Sequence, residues 1–327
     1  MAGERVLRVL VTGATGFVGR SVSRALVAAG YTVRAAVRTA PGRAGADCET
    51  AIVGDIDGTT VWTDALSEVQ AVVHLAARTH TRDRADALMH YRRLNVEGTR
   101  GLVAAARERG IGTFVFMSSI KVNGETSPLA GDGQLLRFSG DDPPHPTTAY
   151  GQSKLEAERV VTADAGSARM RCVILRPPLV YGPGQKGNLA TLTRAIARGW
   201  PLPLASMTAP RSLIGVANLA DAVVAAVRPE ARVSGTYTLA DVDVSSAELA
   251  RELGLLVGRR ARLWPVPVAA LGALAAAVGR ADSVAKLSQP LLVDGTRYTA
   301  ASGWIPRRSL REGLRDDATP APAGDPA

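Results

Sequence analysis

A glycine-rich turn between an apolar strand and a helix constrains the fold of this chain more than any other feature. Val6 to Val11 is an apolar run broken only by Arg8, and a helical pattern runs from about Phe17 to Ala29. Between them stand Gly13, Gly16 and Gly19. Glycines at this point let the backbone approach a pyrophosphate at the helix N-terminus. The turn therefore predicts a strand–turn–helix unit that binds a dinucleotide.

Strands and helices alternate along the first half of the chain. Apolar strands are predicted at Thr32 to Val37, Ala51 to Val53, Ala71 to Ala77, Thr113 to Met117 and Arg171 to Leu175, with helices at Ala85 to Arg109 and Ala149 to Ala163. Strands that are apolar on both faces belong in a parallel sheet covered on both sides. We therefore predict an α/β fold, namely a Rossmann-type doubly wound parallel sheet with a smaller C-terminal α/β substrate domain.

Three segments define the predicted domain organisation. Residues 1–180 are predicted to form the dinucleotide-binding domain, and residues 211–228 to pack back onto it. Residues 181–315 are predicted to form the substrate domain. Residues 316–327 consist of Asp, Ala, Pro, Gly and Thr, a composition typical of a disordered tail.

Composition argues against several classes of protein. The net charge of +9 comes from arginines spread along the chain, without a basic tract interleaved with aromatics, so nucleic acid is not a predicted partner. The apolar segment Pro265 to Val278 is shorter than the ~20 residues of a membrane span. It predicts a buried helix without stable membrane insertion, and a peripheral membrane contact stays open.

No secretory signal is recognised, and Cys48 and Cys172 lack metal-ligand spacing. We expect a cytoplasmic protein with free thiols and no metal site.

The end of the second predicted strand bears on cofactor choice. NAD-binding folds place a carboxylate there for the ribose 2′-hydroxyl. Tyr31 to Ala40 contains no acidic residue, and the expected position falls at Val37, followed by Arg38. Arg34 and Arg38 are suited to a 2′-phosphate, because a guanidinium binds phosphate oxygens in pairs. NADP is therefore predicted and NAD is the alternative, with two ordinary surface arginines as the competing interpretation.

Tyr150 and Lys154 form the predicted catalytic pair. Residues four apart on a helix share one face. A phenol ordinarily loses its proton near pH ~10, and a neighbouring ammonium lowers that pKa. The pair can therefore give and accept a proton near neutral pH. The strand Thr113 to Met117, which ends in Ser118 and Ser119, precedes the pair by about thirty residues.

These motifs together resemble the extended short-chain dehydrogenase/reductase family, the NAD-dependent epimerase/dehydratase group that acts on sugar nucleotides. The resemblance implies that Tyr150 is the acid/base, that Lys154 lowers its pKa and binds the nicotinamide ribose, and that Ser119 orients the substrate oxygen. It also implies a homodimer formed through two long helices of the Rossmann domain. His74 is expected to be a packed strand-end residue. The residues that carry the resemblance are Gly13, Gly16, Gly19, Asp55, His74 to Ala77, Asn95 to Thr99, Ser118, Ser119, Tyr150, Lys154, Arg176, Pro177 and Arg211 to Val216.

The same resemblance implies binding residues for both ligands. Arg211 is implied to contact the diphosphate of a nucleotide sugar, and Asn95 to support the site. The implied cofactor contacts are Gly13, Thr15, Gly16, Phe17, Val18, Gly19, Arg38, Asp55, Ile56, Leu75, Ala76, Ala77, Asn95, Ser118, Tyr150, Lys154 and Pro177. The implied substrate contacts are Ser119, Lys121, Asn188, Leu189 and Arg211.

The family resemblance leaves the reaction open. Dehydratases carry an acid pair after the catalytic serine or threonine, and Ile120 to Glu125 lacks it. Segments 118–125, 211–219 and 291–294 look similar to bacterial reductases of UDP-4-keto-6-deoxy-N-acetylhexosamines. We therefore predict NADPH-dependent reduction of the 4-keto group of a UDP-linked 4-keto-6-deoxy sugar, for surface-polysaccharide synthesis. The alternatives are an NAD-dependent 4-epimerase of UDP-glucose or UDP-N-acetylglucosamine, a ketone reductase similar to dihydroflavonol reductases, and a non-catalytic NADP-sensing protein.

Overall fold

The computed structural model describes residues 7–39, 47–79, 86–166, 170–185, 187–277 and 281–315. The predicted tail, 316–327, lies outside these ranges. The strands are β1 (Arg8–Thr12), β2 (Thr32–Val37), β3 (Glu49–Ile52), β4 (Ala71–His74), β5 (Thr113–Met117), β6 (Arg171–Arg176), β7 (Leu179–Tyr181), β8 (Pro210–Gly215), β9 (Gly235–Thr238) and β10 (Val242–Ser245). The α-helices are α1 (Phe17–Ala28), α2 (Ala87–Arg92), α3 (Thr99–Glu108), α4 (Ala149–Gly166), α5 (Asn188–Ala197), α6 (Val216–Val227), α7 (Ser246–Leu256), α8 (Val268–Ala277), α9 (Ala281–Ser288), α10 (Thr296–Ser302) and α11 (Leu310–Arg315).

Seven parallel strands form the main sheet, in the order β3-β2-β1-β4-β5-β6-β9. Their side chains alternate between two apolar cores. Val9 and Val11 point into one core, whereas Leu10, Phe114 and Phe116 point into the other. The strand order reverses at β1, which opens a cleft beyond the carboxyl ends of β1 and β4. The predicted Rossmann-type parallel sheet is confirmed.

The C-terminal half divides between this sheet and a second unit. Helix α6 packs on α1, and its residues Leu219 and Val223 lie in the first core together with Val9. A small sheet of order β10-β8-β7 and helices α5 and α7 surround a third core that includes Leu189 and Leu253. The boundary between the two predicted domains stays a prediction.

Several elements differ from the sequence-based expectation. The helix predicted from Ala85 to Arg109 is interrupted by a π-helix at Arg93–Gly98, between α2 and α3. Strand β9, with only four residues, was not predicted and forms the edge of the main sheet. The helix predicted to be buried within 265–278 is α8, which has no buried residue.

Candidate active site

The glycine turn closes tightly against the loop that follows β4. Gly13 has a φ of +68°, and a Cβ there would lie 2.8 Å from the Ala76 nitrogen. A Cβ at Gly19 would collide with the Gly13 carbonyl, which accepts a hydrogen bond from the Gly16 N–H at 2.9 Å. Helix α1 begins at Phe17 with no side-chain cap and no acidic residue in its first turn. This cradle of bare backbone and free helical N–H groups fits a pyrophosphate.

A buried polar chain fixes the loop opposite the turn. The Thr12 hydroxyl accepts the N–H protons of Leu75 (3.2 Å) and Ala76 (3.1 Å). It therefore donates its own proton to Nδ1 of His74, at 2.7 Å. Complete burial lowers the pKa of His74 to about 3, so the ring is neutral at neutral pH. Its proton then lies on Nε2, which donates to the Thr99 hydroxyl at 2.9 Å.

The chain of hydrogen bonds ends on the π-helix. The Thr99 hydroxyl donates to the Asn95 carbonyl at 2.7 Å. His74 thus ties the carboxyl ends of β1 and β4 to the helix that carries Asn95. This placement agrees with its interpretation as a packed strand-end residue.

The side-chain amide of Asn95 uses its hydrogen bonds to position other residues of the site. Its side-chain Nδ2 donates to the Ser153 hydroxyl at 3.0 Å and to the Arg78 carbonyl at 3.2 Å, and its Oδ1 accepts the Arg78 N–H at 2.8 Å. The Ser153 hydroxyl donates in turn to the Tyr150 carbonyl at 2.8 Å. The predicted role of supporting the site therefore has a geometric basis.

The two arginines near the second strand have different surroundings. Arg34 pairs with Glu49 at 3.0 Å and donates to the Ser67 carbonyl at 2.7 Å. These contacts engage its guanidinium within the protein, and its suggested binding to a 2′-phosphate stays a prediction. Arg38 lies 3.7 Å from Asp55, and both side chains are about four-fifths exposed. A weak exposed pair of this kind leaves Arg38 free to meet a phosphate.

Ser119, Tyr150 and Lys154 converge at the carboxyl end of β5. The Ser119 side chain acts on the Tyr150 phenol and lowers its pKa. The Tyr150 ring stacks edge-on against Tyr91, with centroids 5.8 Å apart. Lys154, which is buried, holds its ammonium 4.2 Å from the centroid of the Phe116 ring. The structure thus brings the three predicted catalytic side chains to one place.

The electrostatics of the pair differ from the prediction. Loss of solvent and the neighbouring Tyr91 raise the pKa of Tyr150 to about 12, and only the Ser119 hydrogen bond acts to lower it. Lys154 is not among the causes of that shift, and its expected lowering of the pKa of Tyr150 stays a prediction. Burial lowers the pKa of Lys154 itself to about 7, against the opposing charge of Glu158.

A buried ion pair that sequence reasoning missed lies under this site. Arg176 donates to Glu158 from Nε (2.9 Å) and from Nη2 (2.6 Å), and both side chains are almost fully buried. Arg176 Nη1 also donates to Asn123 at 3.1 Å. Glu158 stands four residues beyond Lys154 on α4, so the helical spacing of Tyr150 and Lys154 could have revealed it.

Ser118 belongs to the same cluster. Its hydroxyl donates to Glu158, and its N–H donates to the Leu175 carbonyl at 2.7 Å. Both of its protons are thus used inside the protein, which leaves no donor for the cofactor contact that was expected. Pro177 is similarly engaged, since its carbonyl accepts the Ile120 N–H at 2.9 Å beside Ser119.

The other predicted cofactor residues surround the cleft. Thr15 and Gly16 are exposed on the turn, while Phe17, Val18 and the Leu75–Ala77 loop are half-buried beside it. Ile56 is half-buried and packs on the second core. Small or apolar side chains at these positions leave room for a flat ligand to lie on the backbone.

Two of the predicted substrate residues are brought together. Lys121 pairs with Glu125 at 2.8 Å, and Glu125 also interacts electrostatically with Arg211. Burial lowers the pKa of Arg211, and its Nη1 donates to the Gln289 carbonyl. This group of one carboxylate and two cations lies past the end of β5, where an anionic substrate group would meet net positive charge. Glu125, its only carboxylate, was not among the predicted contacts.

The remaining two predicted substrate residues begin helix α5. Asn188 is exposed, whereas the Leu189 side chain is buried in the third core. Any contact from Leu189 to a substrate would therefore use its backbone. The described contacts do not join this helix terminus to Tyr150.

Several known proteins resemble this chain in sequence or in fold. Residues 9–240 match the model of the NAD dependent epimerase/dehydratase family. A UDP-glucose 4-epimerase of Vibrio cholerae is 38% identical and covers 95% of this chain and 94% of its own length. A ceramide reductase of Caulobacter vibrioides is 29% identical, over 94% of this chain and 88% of the relative. The structure of MoeE5 in complex with UDP-glucuronic acid and NAD has a TM-score of 0.74 at 28% identity, over 94% of this chain and 96% of MoeE5.

Proposed function

We propose that this chain, which belongs to the NAD dependent epimerase/dehydratase family, is a 4-epimerase of a UDP-linked hexose. The observation that carries the proposal is the convergence of Ser119, Tyr150 and Lys154 beside a glycine cradle, in a chain similar over its length to a UDP-glucose 4-epimerase. This reverses the order of the two sequence-based hypotheses, since the reductase was ranked first. Binding of a nicotinamide dinucleotide fits both.

The proposed chemistry assigns a separate task to each side chain. When bound, the nicotinamide cofactor supplies a hydride acceptor and donor at C4 of the sugar. In its phenolate form, Tyr150 would take the proton of the C4 hydroxyl as the carbonyl forms and return it once the sugar has presented its other face. This step requires ligand binding to lower the pKa of Tyr150 from about 12. Ser119 orients the C4 oxygen toward the phenol, and Lys154 holds the cofactor ribose. Arg211 and Lys121 pair with the diphosphate, since both are cations near the end of β5.

A reductase is the second candidate, and one feature of the site favours it. The second strand lacks the carboxylate typical of NAD binding, and Arg38 is available for a 2′-phosphate. In this case Tyr150 gives a proton to a substrate ketone and NADPH is consumed.

One experiment separates the two reactions. The purified protein is offered UDP-glucose and UDP-galactose without reductant, and in parallel a UDP-4-keto-6-deoxy-N-acetylhexosamine with NADPH. Interconversion of the C4 epimers without net cofactor use supports the epimerase. Stoichiometric NADPH consumption on the ketone, with no epimer exchange, overturns it in favour of the reductase.

Arg38→Ala tests which nicotinamide dinucleotide the site holds. We expect the affinity for NADPH to fall about tenfold or more, because a charge-assisted hydrogen bond to the 2′-phosphate is lost. The affinity for NADH should change little, since that cofactor has a hydroxyl there. Titration by fluorescence gives both dissociation constants. Arg24→Ala, an exposed arginine on α1, is the control and should leave both affinities unchanged. Equal losses of NADPH and NADH in Arg38→Ala contradict the assignment.

The homodimer stays a prediction. Helices α3 and α4 pack side by side and, with the π-helix, border an open groove lined by Val96, Arg100, Glu156 and Arg159. A second copy placed there would bury this groove and cover the outer surface of α4. The mass of the protein in solution tests it.

A further inference from the structure

Helix α8 (Val268–Ala277) is apolar on all sides and none of its residues is buried. Val268 and Leu271 rest on the third core. Ala270, Leu274 and Ala277 are exposed and recur at helical spacing, so they share an outer face. Leu274 is 67% exposed. An apolar face of this kind usually marks a surface that another molecule covers.

Two exposed tryptophans adjoin this helix. Trp264 is 61% exposed and lies four residues before α8 begins. It belongs to a short ribbon in which the Trp264 N–H donates to the Leu202 carbonyl at 2.8 Å, and the Leu202 N–H to the Arg262 carbonyl at 2.9 Å. Trp200, which is 56% exposed, precedes Leu202 on the other side of the ribbon. The ribbon and α8 are joined by residues 265–267, and both present large apolar side chains to solvent.

The charged residues of the two segments that carry Trp200, Trp264 and α8 are all arginines. Segments 187–205 and 253–277 contain no Asp or Glu, and they contain Arg194, Arg198, Arg259, Arg260 and Arg262. All five side chains are exposed. The Arg198 guanidinium stands 5.5 Å from the Trp200 ring, and Arg259 donates to the Ala197 carbonyl at 3.0 Å. Over the part of the chain that the structure describes, no carboxylate forms an ion pair with any of the five.

We propose that this basic apolar edge, defined as α8, Trp200, Trp264 and the five arginines, docks on the surface of an anionic lipid bilayer. The outer face of α8 would enter the acyl boundary, and the indoles would lie at headgroup level. The arginines would bind the lipid phosphates. A second copy is the poorer occupant, because a two-fold contact would place five arginines against the same five.

The contact is confined to the bilayer surface. Among the helices that the structure describes, none combines the length and the apolar character that crossing a bilayer requires. Attraction of exposed arginines to lipid phosphates is screened by salt, so binding should weaken as ionic strength rises.

Vesicle sedimentation tests the proposal with the full chain. Vesicles of phosphatidylcholine alone, and of phosphatidylcholine with an equal part of phosphatidylglycerol, are pelleted with the protein. We expect partition into the anionic vesicles, a loss of roughly tenfold in Leu274→Glu, and a loss of about fivefold in Arg262→Gln. Ile305→Glu is the matched control, because Ile305 is 65% exposed but follows Trp304 of the first core.

Each possible result of the vesicle experiment supports or overturns the proposal. Failure of the wild-type protein to sediment with anionic vesicles overturns the proposal, as does equal binding by wild type and Leu274→Glu. A change in solution mass in Leu274→Glu would instead show an interface between copies. Unchanged circular dichroism in every variant keeps loss of binding apart from loss of folding, and Trp264→Ser provides a second variant on the same edge.

Discussion

Tyr150→Phe is expected to lose about 10²- to 10⁴-fold in kcat while keeping its affinity for the nicotinamide cofactor. Proton transfer by a positioned side chain contributes an effect of this size. The phenylalanine ring keeps the edge-on packing against Tyr91, so only the hydroxyl that meets Ser119 is removed. Steady-state rates of sugar-nucleotide conversion, together with the cofactor content of the purified variant, measure the two effects separately.

The neighbouring ring provides the control for this substitution. Tyr91→Phe removes a phenol hydroxyl one ring away and leaves Ser119, Tyr150 and Lys154 in place. Its kcat should remain within a few-fold of wild type, because the ring that packs edge-on against Tyr150 is kept. Near-normal turnover in Tyr150→Phe, or an equal loss in both variants, contradicts the assignment of Tyr150 as the acid/base.

The sequence predicts the parts of this protein that depend on local pattern. The glycine turn is recognisable because it needs bare backbone at fixed positions, and the Rossmann sheet is recognisable because its inner strands are apolar on both faces. The family resemblance drawn from these motifs is confirmed by the match over residues 9–240. Strand β9 was not predicted, because its four residues, Gly235–Thr238, are too few to show a clear strand pattern. Their position in the sheet depends on pairing with β6.

What the sequence could not predict depends on burial and on contacts between distant segments. No periodic pattern in the sequence reveals the π-helix at Arg93–Gly98 or the hydrogen bonds that Asn95 makes there. The pKa of Tyr150 was expected to fall because Lys154 is four residues away, yet burial raises it to about 12. Spacing places two side chains on one face, but their solvent exposure and orientation decide the sign of the shift. The ammonium of Lys154 lies over Phe116, with Glu158 as its opposing charge.

Glu158→Ala is expected to lower the free energy of unfolding by about 3–5 kcal/mol. Removing one partner of a buried ion pair leaves the other charge without compensation. Arg176 would keep only its bond to Asn123, and Ser118 would lose the acceptor of its hydroxyl. Urea unfolding should show a lower midpoint with an unchanged slope. Loss of the Glu158 charge also removes the interaction that raises the pKa of Lys154.

A surface ion pair with similar hydrogen-bond geometry separates the energetic effect of burial from that of the bonds themselves. Arg311 also donates two hydrogen bonds to one carboxylate, Glu252, at 3.0 and 2.9 Å, but on the surface. Glu252→Ala should therefore cost only about 0–1 kcal/mol. Replacing both buried partners, as in Glu158→Met with Arg176→Met, should recover part of the loss because no lone charge remains. Equal losses in Glu158→Ala and Glu252→Ala would show that the buried position of this pair has no special energetic weight. A larger loss in Glu158→Ala, reduced in the double variant, identifies desolvation of Arg176 as the cause and makes this ion pair the support that fixes α4, and with it Lys154, against β6.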